Sequence, residues 1–141
     1  MISKALLIVI LINFISFNFP IQFVVTGTLK CNNTPVQGFT ASICDGTTDT
    51  KPKATATSDN RGFFTLNTQL EDPSHTYRVS IYHNCTSNST QDNKERIYTR
   101  QPDYQSLFTG GTTSLPRAQA PLSTIDLDKV SNSTHKACGK A

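Results

Sequence analysis

Apolar residues alternate with polar ones in several short stretches of this chain. The alternation runs through 23–31, returns at 39–44 and is clearest at 77–85. A period of two places every second side chain on the same face of a β-strand. These stretches therefore predict strands with one buried face, and weaker strands are expected at 95–101 and 122–127.

Polar turns separate the predicted strands. Asp59 opens and Gly62 closes a segment between the predicted strands at 54–57 and 63–66. Asp bonds forward to the backbone and Gly tolerates the exit geometry of a tight turn. Short strands with evenly spaced turns and no helical period predict an all-β fold, an antiparallel Greek-key β-sandwich of two sheets. The 16% content of charged residues argues against long solvated helices and coiled coils.

The start of the chain differs from the rest. Lys4 precedes a nearly unbroken apolar run at 5–17, which is the pattern of a secretory signal peptide. Polar residues and Pro20 interrupt the run before it reaches the length of about 20 apolar residues that a membrane anchor needs. The sequence predicts a signal peptide at 1–20, cleaved between 16 and 22, and one β-sandwich domain at 21–141.

Four cysteines in a small secreted chain favour disulfides over a metal site. We predict a bond between Cys85, at the end of the best strand, and Cys138, in a polar tail that a covalent tie would hold. Cys31 then remains for Cys44. Strand phase places Cys31 with the core and Cys44 on the outer face, so free thiols and an intermolecular bridge through Cys44 stay open as alternatives.

Asparagine-linked glycan acceptor triplets follow the predicted leader. They begin at Asn32, Asn84, Asn88 and Asn132. Pro35 follows the first triplet and is expected to hinder its use, whereas the triplets at Asn88 and Asn132 lie in a predicted loop and in the tail. We expect glycan chiefly on those two asparagines.

Three motifs resemble the nematode transthyretin-like family. They are the run from Gly27 to Gly38 with its Cys-Asn-x-x-Pro turn, the Asp59-x-x-Gly62-x-Phe64-x-Leu66 turn, and the Tyr-His-x-Cys run that ends at Cys85. Later family features follow in the same order over essentially the whole mature chain. The resemblance implies a prealbumin-like sandwich that is secreted or displayed at the cell surface and has a binding role.

Enzymatic chemistry finds little support in the sequence. The 5-hydroxyisourate hydrolases share this fold, but they carry a first-strand His where this chain has Gly27 or Thr28, and an Arg after the turn glycine, whereas Arg61 precedes it. The chain also lacks their closing Tyr-Arg-Gly-Ser. His83 and Cys85 share a strand face but have no further ligand at metal-site spacing. We predict no catalytic, cofactor-binding or metal-binding residues and no cofactor.

Apolar groups in one loop are the candidates for partner binding. Tyr104, Leu107 and Phe108 lie in the segment 103–111, where they would anchor a partner or enter a lipid surface unless they fold back as a lid over the sandwich. Two other tyrosines, Tyr82 and Tyr98, are expected on the sheet face opposite the core.

The predicted function is that of a secreted or cell-surface binding protein. Its partner would be an apolar ligand, a lipid surface or a receptor. The alternatives are a hydrolase of the same fold and an adhesion or matrix module. A net charge of +3 without a run of Lys or Arg argues against nucleic acid as a partner.

Overall fold

The computed structural model describes residues 21–70, 76–87, 93–101, 105–107, 117–131, 133 and 135–140. The predicted leader at 1–20 lies outside these residues. In the described part the chain forms β-strands, and no helix there is long and apolar enough to cross a membrane. The strands are β1 Ile21–Cys31, β2 Thr34–Pro35, β3 Thr40–Asp45, β4 Ala54–Thr57, β5 Phe63–Leu70, β6 Tyr77–His83, β7 Arg96–Arg100, β8 Gln105–Leu107 and β9 Arg117–Asp126.

The strands form two sheets, which confirms the all-β sandwich. In the first sheet, β1 pairs with β2 and β5 on one side and with β9 on the other, and β8 lies beyond β9. The second sheet has the order β4-β3-β6-β7. The pair of β1 and β9 is parallel, with a register shift between Thr26 and Thr28, and the other pairings are antiparallel. Non-sequential neighbours such as β3 and β6 show that the chain crosses between the sheets.

Alternating apolar residues from both sheets meet in one core, as the strand phase predicts. The buried members include Phe23, Val25, Leu29, Ala41, Ile43, Phe64, Leu66, Tyr77, Val79 and Ile81. Tyr98 corrects one expectation: it lies opposite Ile81 in the β6–β7 register and packs against the core, so it does not face outward.

Two turns hold the strand ends. The Oδ1 atom of Asp59 accepts the N–H groups of Arg61 and Phe63, each at 2.9 Å, which confirms the predicted tight turn before β5. Asn32 and Asn33 both have positive φ, 50° and 66°, and close the two-residue connection between β1 and β2.

Candidate functional site

The disulfides differ from the predicted pairing. Cys31 bonds to Cys85, and Cys44 bonds to Cys138. The predicted bonds Cys85–Cys138 and Cys31–Cys44 are therefore wrong, and none of these cysteines is free in the structure.

Strand phase explains the observed pairing. Cys31 and Cys85 both point with the core residues of their strands, so they meet at one end of the sandwich. Cys44 follows Ile43 and points to the opposite face of β3, away from Cys31. Its partner must come from a segment that crosses that outer face, and the tail carrying Cys138 does so. A disulfide forms only where the two Cα atoms are within about 7 Å and the two Cβ atoms point toward each other, so an inward cysteine and an outward cysteine do not pair.

The tail at 135–140 lies on the outer face of the second sheet and is fixed there mainly through its backbone. The N–H of Cys138 donates to Ser80 Oγ at 2.8 Å, and the Tyr82 hydroxyl donates to the Cys138 carbonyl. The next N–H, of Gly139, donates to the Thr50 carbonyl at 2.8 Å. The tail therefore closes over a polar face that would otherwise be exposed, and Cys44, although it points outward, is 0% exposed.

A buried arginine joins the tail to the loop after β3. Arg78 on β6 is 1% exposed, and its Nε donates to the Lys136 carbonyl at 2.8 Å. The two terminal nitrogens donate to the carbonyls of Gly46 and Asp49. A planar guanidinium with five donors suits three acceptors on two different segments.

A small cleft opens beside this tail. It has a volume of about 230 Å³. Lys140 forms an ion pair with Glu95 on one side of the cleft, and its Nζ lies 5.0 Å from the centre of the Tyr82 ring. The lining residues are Gly38, Phe39, Thr40, Tyr82, His83, Asn84, Asn93, Glu95 and Lys140. Most of these contribute polar groups, so the cleft does not resemble the apolar pockets that take hydrophobic small molecules.

The two titratable rings of the cleft are held in their neutral forms. Burial, and then the nearby Glu95 carboxylate, raise the pKa of Tyr82, so its hydroxyl keeps the proton that it donates to the tail. Burial, and then the charge of Arg96, lower the pKa of His83. The Nδ1 atom of His83 accepts the N–H of Cys85 at 3.2 Å, which leaves the proton of the neutral ring on Nε2.

His83 and Cys85 do not form a metal site. The imidazole is occupied at Nδ1, and the sulfur of Cys85 is in a disulfide. Among the described residues, no group of three or more His, Cys, Asp or Glu side chains could hold a metal ion.

The glycan acceptor asparagines differ in their surroundings. Asn32 is exposed, and its Nδ2 donates to the Thr86 carbonyl at 3.4 Å. Asn84 is half-buried and lines the cleft. Asn88 and Asn132 lie outside the described residues, so the preference for them stays a prediction.

The candidate partner loop is mostly outside the described part of the chain. Tyr104 and Phe108 are not described, and only the backbone of Leu107 is, as the last residue of β8. Their role as partner-binding residues stays a prediction.

Gly27, one of the two candidates for the first-strand His position of the 5-hydroxyisourate hydrolases, has little room for a side chain. A Cβ atom at Gly27 would lie 2.7 Å from the Phe64 ring. Thr28 is half-exposed and lies in register with Phe63, and Arg61 is exposed in the turn. The structure therefore fills the corresponding part of the core with Phe64.

Sequence reasoning missed the polar layer under the tail. Arg78 and Ser80 are buried although both occupy outward positions of β6. One signal was available: a charged residue near the start of the strand with the clearest alternation, on the same face as Cys44, indicates that something covers that face.

No curated protein matches the sequence significantly. Among solved structures, a 9R-lipoxygenase from Cyanothece PCC8801 is similar over 78% of this chain and 17% of its own, with 13% identity and a TM-score of 0.46, which is too low to carry an argument. The model of the Transthyretin-like family matches residues 26–100. That range is more than half of the chain and includes the whole second sheet, β5 and most of β1 of the first sheet, and the Cys31–Cys85 disulfide, so the chain belongs to the transthyretin-like family.

Proposed function

We propose that this protein is a secreted or cell-surface binding protein without catalytic activity, which contacts its partner through its outer surface. The observation that carries the proposal is a filled sandwich fastened by two disulfides. Such a scaffold holds surface loops in place, and loops on a rigid scaffold commonly carry binding residues.

Secretion is supported by the disulfides and the leader pattern. Disulfides persist in oxidising compartments and are rare in the cytosol. The apolar run at 5–17 and the glycan acceptor triplets behind it fit the same route.

Absence of catalysis is supported by the geometry at the hydrolase positions. Gly27 is pressed against Phe64, so a side chain there would displace the ring. His83 is 5% exposed and already accepts a backbone N–H, which makes it a poor general base.

The mode of binding follows from where free space lies. Among the described residues, aromatic and aliphatic side chains fill the space between the sheets. The cleft beside Lys140 is small and polar. A receptor or a lipid surface, met by Tyr104, Leu107 and Phe108, therefore fits better than an enclosed apolar ligand. A display role in adhesion or matrix would need no such contact and is the alternative.

Native mass spectrometry of protein secreted by a eukaryotic host tests the proposal. We expect a mass that corresponds to the chain without its leader, with glycan attached and with two disulfides formed. A separate assay of the same material should show no turnover of 5-hydroxyisourate. Intact Met1 in membrane-bound material would overturn the secretory assignment. A saturable hydrolysis rate that is abolished by Arg61→Ala would refute the binding role.

The partner surface is tested separately. Leu107→Ala and Phe108→Ala are expected to weaken capture of the protein by cells or by anionic vesicles, whereas Ile97→Ala, which removes an apolar side chain that is 38% exposed on β7, serves as the control. Equal capture of all three variants and the parent protein would favour the display role.

A further inference from the structure

β5 has one backbone edge that no described strand covers. Residues 63–70 pair with β1, and no other strand pairs with them among the described residues. The N–H of Leu29 on β1 donates to the Gly62 carbonyl at 2.7 Å. Because backbone groups alternate in direction along a strand, Phe64, Leu66 and Thr68 also face β1, whereas the backbone groups of the residues between them point away.

Three residues present the outward backbone groups of this edge. The turn already uses those of Phe63, since its carbonyl accepts the N–H of Asp59 and its N–H donates to the Asp59 side chain, both at 2.9 Å. Thr65, Asn67 and Gln69 remain, and their side chains are exposed on the outer face of the first sheet.

The β5 edge lacks the usual protection against pairing with another chain. Natural edge strands are blocked by charge, proline, bulges or shortness, but the sequence Phe63–Leu70 contains no charged residue and no proline. The edges of the second sheet differ. β7 has an arginine at each end, Arg96 and Arg100, and Lys53 directly precedes the four-residue strand β4.

These charges distinguish the β5 edge from the two edges of the second sheet. Antiparallel pairing of two β7 strands about a two-fold axis at Tyr98 would place Arg96 opposite the second Arg100, and like charges that face each other across a pair are destabilising. Two β5 strands meet without such repulsion, and Thr, Asn and Gln side chains can hydrogen-bond across the pair.

We propose that β5 pairs antiparallel with β5 of a second copy of this chain, about a two-fold axis at Asn67. In this register Asn67 faces Asn67 of the other copy and Thr65 faces its Gln69, so the outward N–H and C=O groups of the three residues, which no described strand pairs with, gain partners. The first sheets of the two copies then form one continuous sheet, with the tail-covered faces left outside the contact.

The contact is small, so the dimer is weak. The paired segment around Asn67 spans roughly 20 Å. It buries less surface than the roughly 800 Å² per partner of a standard protein–protein interface. We expect a dissociation constant in the micromolar range, which a high local concentration of secreted or displayed protein would reach.

Sedimentation velocity across a concentration series tests the dimer with three variants. Asn67→Pro removes an outward N–H and leaves the hydrogen bonds between β5 and β1 in place. Because each copy loses one intermolecular hydrogen bond, the dimer loses two, and its dissociation constant should rise about thirtyfold. Asn67→Lys places two cations opposite each other and should weaken it about fivefold. Gln119→Lys is the matched control, because Gln119 is exposed on the same rung, beyond Val24, and lies off the edge.

A mixing experiment tests the register itself. Asn67→Lys and Asn67→Glu proteins, each weakened alone, should associate with each other when mixed, because the axis brings position 67 of one copy against position 67 of the other. Circular dichroism of each variant confirms folding.

Several outcomes overturn the proposal. A parent protein that stays monomeric throughout the series would mean that this edge is covered by another part of the chain or reserved for a different extended peptide. A dimer that survives Asn67→Pro, or that Gln119→Lys disrupts equally, would place the contact elsewhere. Lack of association in the mixture would exclude the two-fold axis at Asn67.

Discussion

At the scale of the residue, buried polar side chains explain how the tail is attached. Arg78 satisfies three carbonyls from two segments, and Ser80 accepts the N–H of Cys138. The Ser80 hydroxyl also lies 2.7 Å from the Thr99 hydroxyl on β7. Each of these groups left water on folding, so each depends on its partner, and removal of one partner leaves the others buried without a hydrogen bond.

Arg78→Ala should therefore destabilise the protein strongly. Three backbone carbonyls would lose their donor, and we expect the free energy of unfolding to fall by about 3 kcal/mol or more. The free energy of unfolding of Arg78→Lys should lie between those of the parent protein and Arg78→Ala, because one ammonium cannot reproduce the planar set of donors of a guanidinium. Denaturant unfolding with the disulfides intact measures the change. Arg61→Ala, at an exposed turn position, should stay within about 0.5 kcal/mol of the parent, and an equal loss in both variants would contradict the role of Arg78.

His83 should make stability depend on pH. Its pKa is lowered in the folded protein by burial and by Arg96, so the unfolded chain binds a proton first as the pH falls. The free energy of unfolding should therefore be fully retained above the unfolded pKa of about 6.5 and decrease as the pH drops below it.

Urea unfolding at about pH 7.5, 6.5 and 5.5, on both sides of the ordinary His pKa, checks this dependence. In His83→Asn the free energy of unfolding should decrease less between these pH values than in the parent protein. Carboxylates that titrate in the same range are present in both proteins, so the difference between the two proteins reports on His83. His135→Asn, which changes an exposed histidine of the tail, is the control variant. A slope that His83→Asn does not alter would assign the effect to other groups.

At the scale of the element, the turn before β5 sets the position of the edge strand. Gly62 has φ +75°, and a Cβ atom there would lie 2.2 Å from the carbonyl oxygen of Leu29. The same glycine carbonyl accepts the Leu29 N–H. The turn thus contacts the sheet backbone to backbone. A Cβ atom at position 62 would therefore meet a carbonyl group of β1 and not a flexible side chain that could move aside.

Gly62→Ala should for that reason cost more than a conformational penalty alone. Gly46 offers a matched control, because its φ of +68° is similar and nothing lies within 4 Å of a Cβ there. We expect Gly46→Ala to lower the free energy of unfolding by about 1 kcal/mol and Gly62→Ala by about 3 kcal/mol or more. Thermal and urea unfolding of the pair measure the difference, and equal costs would show that the Leu29 contact relaxes freely.

At the scale of the whole molecule, the two disulfides tie different layers. Cys31–Cys85 joins the end of β1 in the first sheet to the segment just after β6 in the second. Cys44–Cys138 joins β3 to the tail and closes a sequence separation of 94 residues. One bond links the two sheets, and the other holds a third layer on the outside of the second sheet.

Replacement of both Cys44 and Cys138 by serine should release the tail and leave the sandwich folded. The chain-entropy model gives a loss of at most about 4.7 kcal/mol for a loop of this size. Hydrogen exchange should speed up at the N–H groups of Cys138 and Gly139, whereas it should stay slow at Val79 and Ile81. The matched Cys31 and Cys85 double serine variant should keep its tail protected. Non-reducing peptide mapping of the parent protein must first recover the pairs Cys31–Cys85 and Cys44–Cys138.

The sequence by itself determined the strands, the core and the tight turn, because each depends on local information. Period-two alternation predicted that Phe23, Ile43 and Ile81 face inward, and the Asp59 and Gly62 pair predicted the turn. It even predicted the directions of Cys31 and Cys44, although not the pairing that these directions require. The family resemblance was also readable from short motifs.

Only the tertiary structure decided what covers the outer face of the second sheet. Alternation states that Cys44 and Arg78 leave the core, but it cannot state that a tail from the far end of the chain returns to bury them. The same holds for the parallel pair of β1 and β9 and for the edge of β5 that no described strand covers, since the choice of strand neighbours depends on contacts between residues far apart in sequence. Long-range packing, which no local pattern encodes, therefore fixed the disulfides, the polar layer and the choice of strand neighbours.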